Sequence, residues 1–329
     1  MTSSKDPNDE NLISALNDRL ETIEMRMGAM SGEIIDLTSA NSNNLLTLLN
    51  ELSMRVWRLE HAVASGTLND DIVVEDRLNR ARLAERRIRR HRGGEIIGTA
   101  TRPRLDMRRV RSVDEQWRAL KRAAPLNFRM YQEAFEAGAE SYLNLPDTSC
   151  STDRHQESGA FRDFLAPYLV GNILDIGCGP QAMPSYLAGA DMDNVWGMDP
   201  LPARLGEQHP FSFYQGFGEF LPFADKSFDL VVSGTTIDHY YLLDKGLHEA
   251  HRVLRPGGIF AVWISLIEGS PVYDPYSSTI TAQDDEHLYH IDPAWFLPLM
   301  AKSGFSLLER MEFSSPFRYG FLAFTKGTG

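Results

Sequence analysis

The sequence predicts an α/β fold, a seven-stranded sheet covered by helices on both faces and preceded by an N-terminal α-helical coiled coil. Three observations carry that prediction. Short apolar runs alternate with helical patterns from about residue 113 onward. One of these runs, Ile173–Ile176, enters the glycine turn "GCG", as a strand does where a ligand binds at the carboxyl end of a sheet. Near the N-terminus, apolar residues recur at alternating spacings of three and four.

That recurrence runs through Ile13, Leu16, Leu20, Ile23, Met27, Met30, Ile34 and Leu37, a heptad seam. It crosses the polar patch 39–44 and resumes one residue out of phase at Leu45, Leu49, Leu52, Val56, Leu59 and Val63. A register skip, or a break between two helices, is therefore expected near Asn41. An Asn in a core position weakens such a seam while fixing its register and oligomer state. Residues 1–68 are expected to join the chain into a homo-oligomer. The alternative is an amphipathic helix packed on its own domain, which the narrow, long stripe disfavours.

Residues 69–112 form a second region. The stretch "EDRLNRARLAERRIRRHRGGE" places eight arginines between Arg77 and Arg92, beside a thin apolar stripe of Val74, Leu78, Ala81 and Ile88. Such a helix can lie on an anionic membrane, grip a phosphate-bearing partner, or be a solvated face. Residues 98–112, with Pro103 among further arginines, read as a linker. The net charge of −12 divides into −6 for residues 1–70, +8 for 71–122 and −14 for 123–329. The acidic third region argues against a nucleic-acid partner. The start "MTSSKDPNDE" lacks the basic and apolar parts of a secretory signal, and no apolar run approaches about 18 residues. A cytoplasmic protein is expected, with the arginine helix allowing a peripheral position at the inner face of the membrane. In that reducing compartment Cys150 and Cys178 read as free thiols.

In the third region, residues 113–329, the candidate strands are Ile173–Ile176, Val195–Asp199, Phe211–Gln215, Phe228–Ser233, Ile259–Ser265, Phe305–Phe313 and Tyr319–Thr325. Helices are expected between the earlier ones, and the last two can pair antiparallel. Gly177, Gly179 and Ala182 fit the dinucleotide spacing G-x-G-x-x-A, but their neighbours point elsewhere. Asp175, two residues before Gly177, would repel a pyrophosphate and attract a cation. Gly177 and Gly179 let the backbone approach the ligand, and Pro180 is placed to start the next helix. Asp199 closes the second strand 24 residues after Asp175, placed to accept from two ribose hydroxyls. A nucleoside carrying an ammonium or sulfonium is indicated over NAD.

With these residues the chain resembles the class I S-adenosylmethionine (SAM) dependent methyltransferases. The resemblance rests on "ILDIGCGP", the acid of "VWGMDP", "EFLPFADKSFDLVVS" and "HRVLRPGGIFAVW", in the family's order, and covers about residues 160–329. It implies a Rossmann-like sheet with SAM as cofactor. Asp175, Gly177 and Gly179 would line its amino-acid part, with Cys178 packing there; Asp199 would bind the ribose, and Glu219, Phe220 and Leu221 would flank the adenine. Gly218 and Ser233 join the same cofactor-binding set. Many relatives carry an Asp two residues before the Glu, where this chain has Phe217. Packing by Phe217 or Phe220 and backbone groups would then hold the base.

More narrowly, the chain looks like bacterial methyltransferases of surface-polysaccharide assembly, O-antigen or capsule. The residues that carry this are "SYLNLPDTSCSTDRH", "SGTTIDHYYLLDKGLHEAHRVLRPGG", "PVYDPY" and "DDEHLYHIDPAWF". Some chain terminators of that group join a methyltransferase to a coiled coil and a membrane-binding helix.

A hydroxyl acceptor must also lose a proton. His239, just past the fourth strand, is expected as general base, with Asp238 orienting it. The alternative is a His that packs on the cofactor or caps the next helix. Asp284, His287 and His290 are expected to hydrogen-bond the acceptor. With Asp238 they could instead hold magnesium or manganese, but no fixed ligand spacing is visible and no metal is expected. Tyr273, with Tyr276 and Trp263, could stack on a sugar face or be ordinary core aromatics. The activity expected is SAM-dependent O-methylation of a sugar hydroxyl in a bacterial polysaccharide, a chain-terminating cap being one form. Its partners would be a saccharide or glycolipid acceptor and polysaccharide-assembly enzymes. The alternatives are methylation of a small lipid, quinone or natural product, and a non-catalytic SAM-binding scaffold.

Overall fold

The computed structural model describes residues 102–144, 156–181, 183–203, 208–313 and 318–327. The expected coiled coil, the arginine-rich helix, Cys150 and Ala182 lie outside the described residues. Seven strands form one sheet: β1 (Ile173–Ile176), β2 (Val195–Asp199), β3 (Ser212–Gln215), β4 (Phe228–Gly234), β5 (Leu254–Ser265), β6 (Phe305–Phe313) and β7 (Tyr319–Lys326). Their order is β3-β2-β1-β4-β5-β7-β6. Strand β1 pairs in parallel with both β2 and β4, and only β7 runs against its neighbours β5 and β6. The order reverses at β1, so the turn after β1 opens at a topological switch point, where α/β sheets bind ligands.

Side-chain alternation divides the core between the two faces of the sheet. Val231, Phe260, Val262, Leu322 and Phe324 pack to one side, against Leu120, Phe128, Leu247 and Phe296. These come from α1 (Val113–Ala123), α2 (Phe128–Asn144), α4 (Leu243–Val253) and α5 (Pro293–Lys302). Leu230, Val232, Ala261, Trp263 and Ala323 pack to the other side, with Phe161 and Phe164 of α3 (Gln156–Leu165). A period of two within each strand thus fills two cores, as a strand buried on both faces requires.

Helix starts follow local chemistry. Ser112 and Glu115 form a capping box at α1, each bonding the other's backbone N–H. Asp292 accepts from the Ala294 N–H at 2.8 Å, and Pro293 supplies a fixed φ at the first position of α5.

Two expectations are corrected. Pro180 starts no α-helix: among the described residues, only 3-10 turns at Ser185–Leu187 and Met192–Asn194 lie between β1 and β2. Pro184, four residues on, would clash with the carbonyl of residue 180 and remove a helical N–H. The stretch 102–112, expected as a linker, is tied to the outer strands. Trp196 Nε1 donates to the Pro103 carbonyl at 3.0 Å, Leu105 bridges Phe223, and the Arg111 N–H donates to the Tyr214 hydroxyl. Leu105, Trp196 and Tyr214 pack together against the same face of the sheet. No helix among the described residues is long and apolar enough to cross a membrane.

Candidate active site

The turn after β1 sets one wall of the site. Gly177 and Gly179 have φ of +79° and +77°, the left-handed region that glycine enters without steric cost. The Gly177 N–H donates to the Met198 carbonyl at 2.7 Å, tying the turn to β2. At the end of β2, Asp199 Oδ2 accepts from the Gly179 N–H at 2.9 Å and Oδ1 from the Leu201 N–H at 2.8 Å. Burial raises its carboxyl to about 6, against those two donors.

A cavity of about 830 Å³ opens over this turn. Its far wall is α2, which contributes Tyr131, Phe135, Gly138 and Tyr142, and its end is closed by Phe217, Gly218 and Glu219 after β3. Phe217 stands edge-on to Trp117 at 4.8 Å between ring centroids, so the residue found in place of an acid forms an aromatic wall. Glu219 accepts from the Leu242 N–H at 3.0 Å; burial raises its pKa. A smaller cavity of about 270 Å³ adjoins the first through shared Tyr131, Phe135, His239 and Tyr240, and is also lined by Asp238 and Glu286.

His239 therefore stands where the two cavities meet. Burial lowers its pKa, overcoming the nearby Asp238, so the imidazole is held neutral with a lone pair available. Its ring lies 4.5 Å from that of His287. His287 Nδ1 contacts Asp284 Oδ1 at 2.8 Å and Oδ2 at 3.0 Å, and its Nε2 lies 3.8 Å from Asp238 Oδ2. Burial opposes its charge, but Asp238, Asp284 and Glu286 together outweigh burial and its pKa is raised. The carboxylate of Asp238, expected beside His239, thus faces His287. His290 Nε2 is 3.4 Å from Asp284 Oδ2.

Of the expected cofactor residues, Gly177, Gly179, Asp199, Gly218 and Glu219 line the larger cavity. Five others do not. Asp175 lies behind the turn, fully buried, accepting from the Tyr186 hydroxyl at 3.0 Å; burial raises it to about 8. Cys178 packs in the opposite core, its thiol pushed up by burial. Phe220 turns away under the Lys245 ammonium at 3.4 Å, and the Leu221 N–H donates to Glu249. Ser233 bonds Thr236 Oγ1 at 2.7 Å. On the acceptor side, Tyr273 lines neither cavity: it stacks on Tyr289 at 3.9 Å and donates its hydroxyl to the Tyr241 carbonyl. Trp263 is core, packed on Phe161 and Phe321, and Tyr276 is exposed.

Residues that sequence reasoning missed include Thr236, whose Oγ1 donates to the Ile176 carbonyl at 2.8 Å and clamps the turn. The α2 wall was missed as well, although Tyr131, Phe135, Gly138 and Tyr142 recur at helical spacing on one face.

Residues 174–262 match the methyltransferase domain family. The chain carries a methyltransferase domain. The chain is similar to a demethylmenaquinone methyltransferase of Chlorobaculum parvum, 35% identical over 104 residues, which are 30% of this chain and 43% of that protein. It is similar also to a malonyl-[acyl-carrier protein] O-methyltransferase of Pseudescherichia vulneris, 32% identical over 148 residues, 44% of this chain and 57% of that one. Among solved structures, the 1,6-didemethyltoxoflavin-N1-methyltransferase of Burkholderia thailandensis aligns at 16% identity and a TM-score of 0.45, over 66% of this chain and 92% of that one. The chain spans about half the length of the curated relatives it matches. The cavity of this methyltransferase domain suits SAM in its chemistry: a buried carboxylate for the ribose at Asp199, open backbone at Gly177 and Gly179, and an aromatic wall at Phe217.

Proposed function

We propose that the protein is an O-methyltransferase that binds SAM in the larger cavity and its acceptor in the smaller one. The observation that carries this reading is His239, a half-buried imidazole that lines both cavities where they meet. Asp199 would hold the ribose, the Gly177–Gly179 turn the amino-acid part and Phe217 the base. When bound, SAM supplies a methyl group on a cationic sulfur. The chain's own contribution is to hold an acceptor hydroxyl at the junction, exclude water with Tyr131, Phe135 and Tyr289, and activate the hydroxyl through His239 and Asp238.

The acceptor we propose is a sugar hydroxyl of a bacterial polysaccharide, with the N-terminal region joining copies of the chain and the arginine helix resting on an anionic surface. The motifs from Ser141 to His155 and Asp284 to Phe296 support that reading. A second reading, methylation of a quinone or an acyl-carrier-bound acid, is favoured by the names of the two curated relatives. Incubation with methyl-labelled SAM and panels of glycans, demethylated quinones and carrier-bound acids tests both. Label in a glycan methyl ether supports the first, label in the other classes replaces it with the second, and no transfer to any of them overturns the assignment. Deletion of residues 1–68 is expected to lower the mass seen by light scattering, and an unchanged mass would refute self-association.

A further inference from the structure

The groups around His239 suit a cation better than they suit a lone base. We infer that Asp238, His239 and His287 form a binding site for a divalent transition-metal ion beside the smaller cavity, with Asp284 holding His287 from behind. One ligand atom from each of the three lies within 4.8 Å of the others. Asp238 is 8% exposed, and its Oδ1 has no hydrogen-bond partner among the described residues. A buried carboxylate oxygen left unmatched is costly, and a bound cation removes that cost.

His287 is already oriented for such a role. Its Nδ1 faces Asp284 at 2.8 Å, which leaves Nε2 directed toward Asp238 Oδ2 across 3.8 Å, too long for a hydrogen bond. A carboxylate behind a ligand imidazole is the usual way a protein fixes the ring and raises its basicity. A second trio, Asp284, His287 and His290, also lies close together, but Asp284 is spent as an acceptor for the backbone N–H groups of Glu286 and His287. It acts as the support.

Two imidazoles and one carboxylate suit a first-row transition ion with open positions, whereas magnesium and calcium prefer all-oxygen sets. Asp238 and His239 come from the turn after β4, and His287 from the loop before α5. No local spacing in the sequence announces the site, because the fold assembles it. The site stands on these side chains alone; its use in catalysis rests on the reading that the acceptor enters the smaller cavity. There the ion would lower the pKa of a hydroxyl directed at it, and the proton would pass to solvent water. His239 then serves as a ligand in place of the free base expected from the sequence.

The full-length chain, stripped with a chelator and titrated with cobalt(II), tests this. Visible absorption bands of a protein-bound ion should saturate at one equivalent. Asp238→Asn and His287→Ala should each weaken cobalt binding at least tenfold, and Asp284→Asn by roughly 10- to 100-fold. His290→Gln should leave it unchanged. Calorimetry with S-adenosylhomocysteine shows whether each variant still folds. Absent bands, bands indifferent to Asp238 and His287, or bands lost with His290 would overturn the site. Full methyl transfer in excess chelator without cobalt binding would sink the metal while sparing the methyltransferase reading. Cobalt binding with no transfer to any acceptor would do the reverse.

Discussion

A Cβ added at Gly177 would lie 2.2 Å from Cγ2 of Thr236, on a backbone whose φ is +79°. Both the contact and the left-handed conformation oppose any side chain there. Gly177→Ala should destabilise the fold by about 2–4 kcal/mol, the sum of a conformational cost and overpacking, as read from urea unfolding. Thr236→Ala should cost less, about 1 kcal/mol, because it removes only the hydroxyl's bonds to the Ile176 carbonyl and Ser233. At the junction of the cavities the consequence is chemical. His239→Ala should lower kcat by about 100-fold or more while S-adenosylhomocysteine binds with unchanged affinity. An unchanged kcat would remove His239 from the reaction.

Helix α4 governs the cofactor wall through its last turn. Arg252 donates to Glu249, to the carbonyls of Leu221 and Phe223, and to Asp225, while Glu249 accepts from the Leu221 N–H. This nearly buried pair fastens the segment that begins with Gly218 and Glu219. Arg252→Ala leaves the Glu249 carboxylate buried and unpaired, a loss of about 3–5 kcal/mol, and should weaken cofactor binding with it. Thermal unfolding with and without S-adenosylhomocysteine separates the two effects. The strands and the Gly177 turn were legible in the sequence because each is encoded locally, by an apolar run or a glycine that only one backbone geometry explains. "HRVLRPGG" was legible as a motif, but the reason for its Arg is a set of partners near residues 221–225 that the sequence does not place beside it. The α2 wall shows its helical spacing but not what it faces, and the sequence offered Asp238 beside His287 only as an alternative, because no fixed spacing ties the two. Pro180 misled because a proline that can start a helix reads alike whether or not Pro184 then forbids one.

For the molecule as a whole, two buried carboxyls behind one turn make stability depend on pH. Both titrate near 3.8 when unfolded, whereas burial raises Asp199 to about 6 and Asp175 to about 8 in the fold. Between those values the folded chain binds more protons than the unfolded chain, so stability falls as the pH rises. The contribution is fully present below about 4 and declines across the window to about 8, with Asp175 alone acting in its upper part. Asp175→Asn can still accept from Tyr186 but cannot ionise. It should match the wild type in acid and unfold at a higher temperature than the wild type at pH 8; parallel curves for the two proteins would refute the linkage. A cationic ligand reverses the sign. An ammonium or sulfonium held at the Gly177 turn favours the ionised carboxylate through a medium of low dielectric. The rise in unfolding temperature given by saturating SAM should therefore grow as the pH increases from 6 to 8 in the wild type, and that growth should be missing in Asp175→Asn. Equal growth in both would mean that Asp175 shapes the turn without sensing the charge of what binds there.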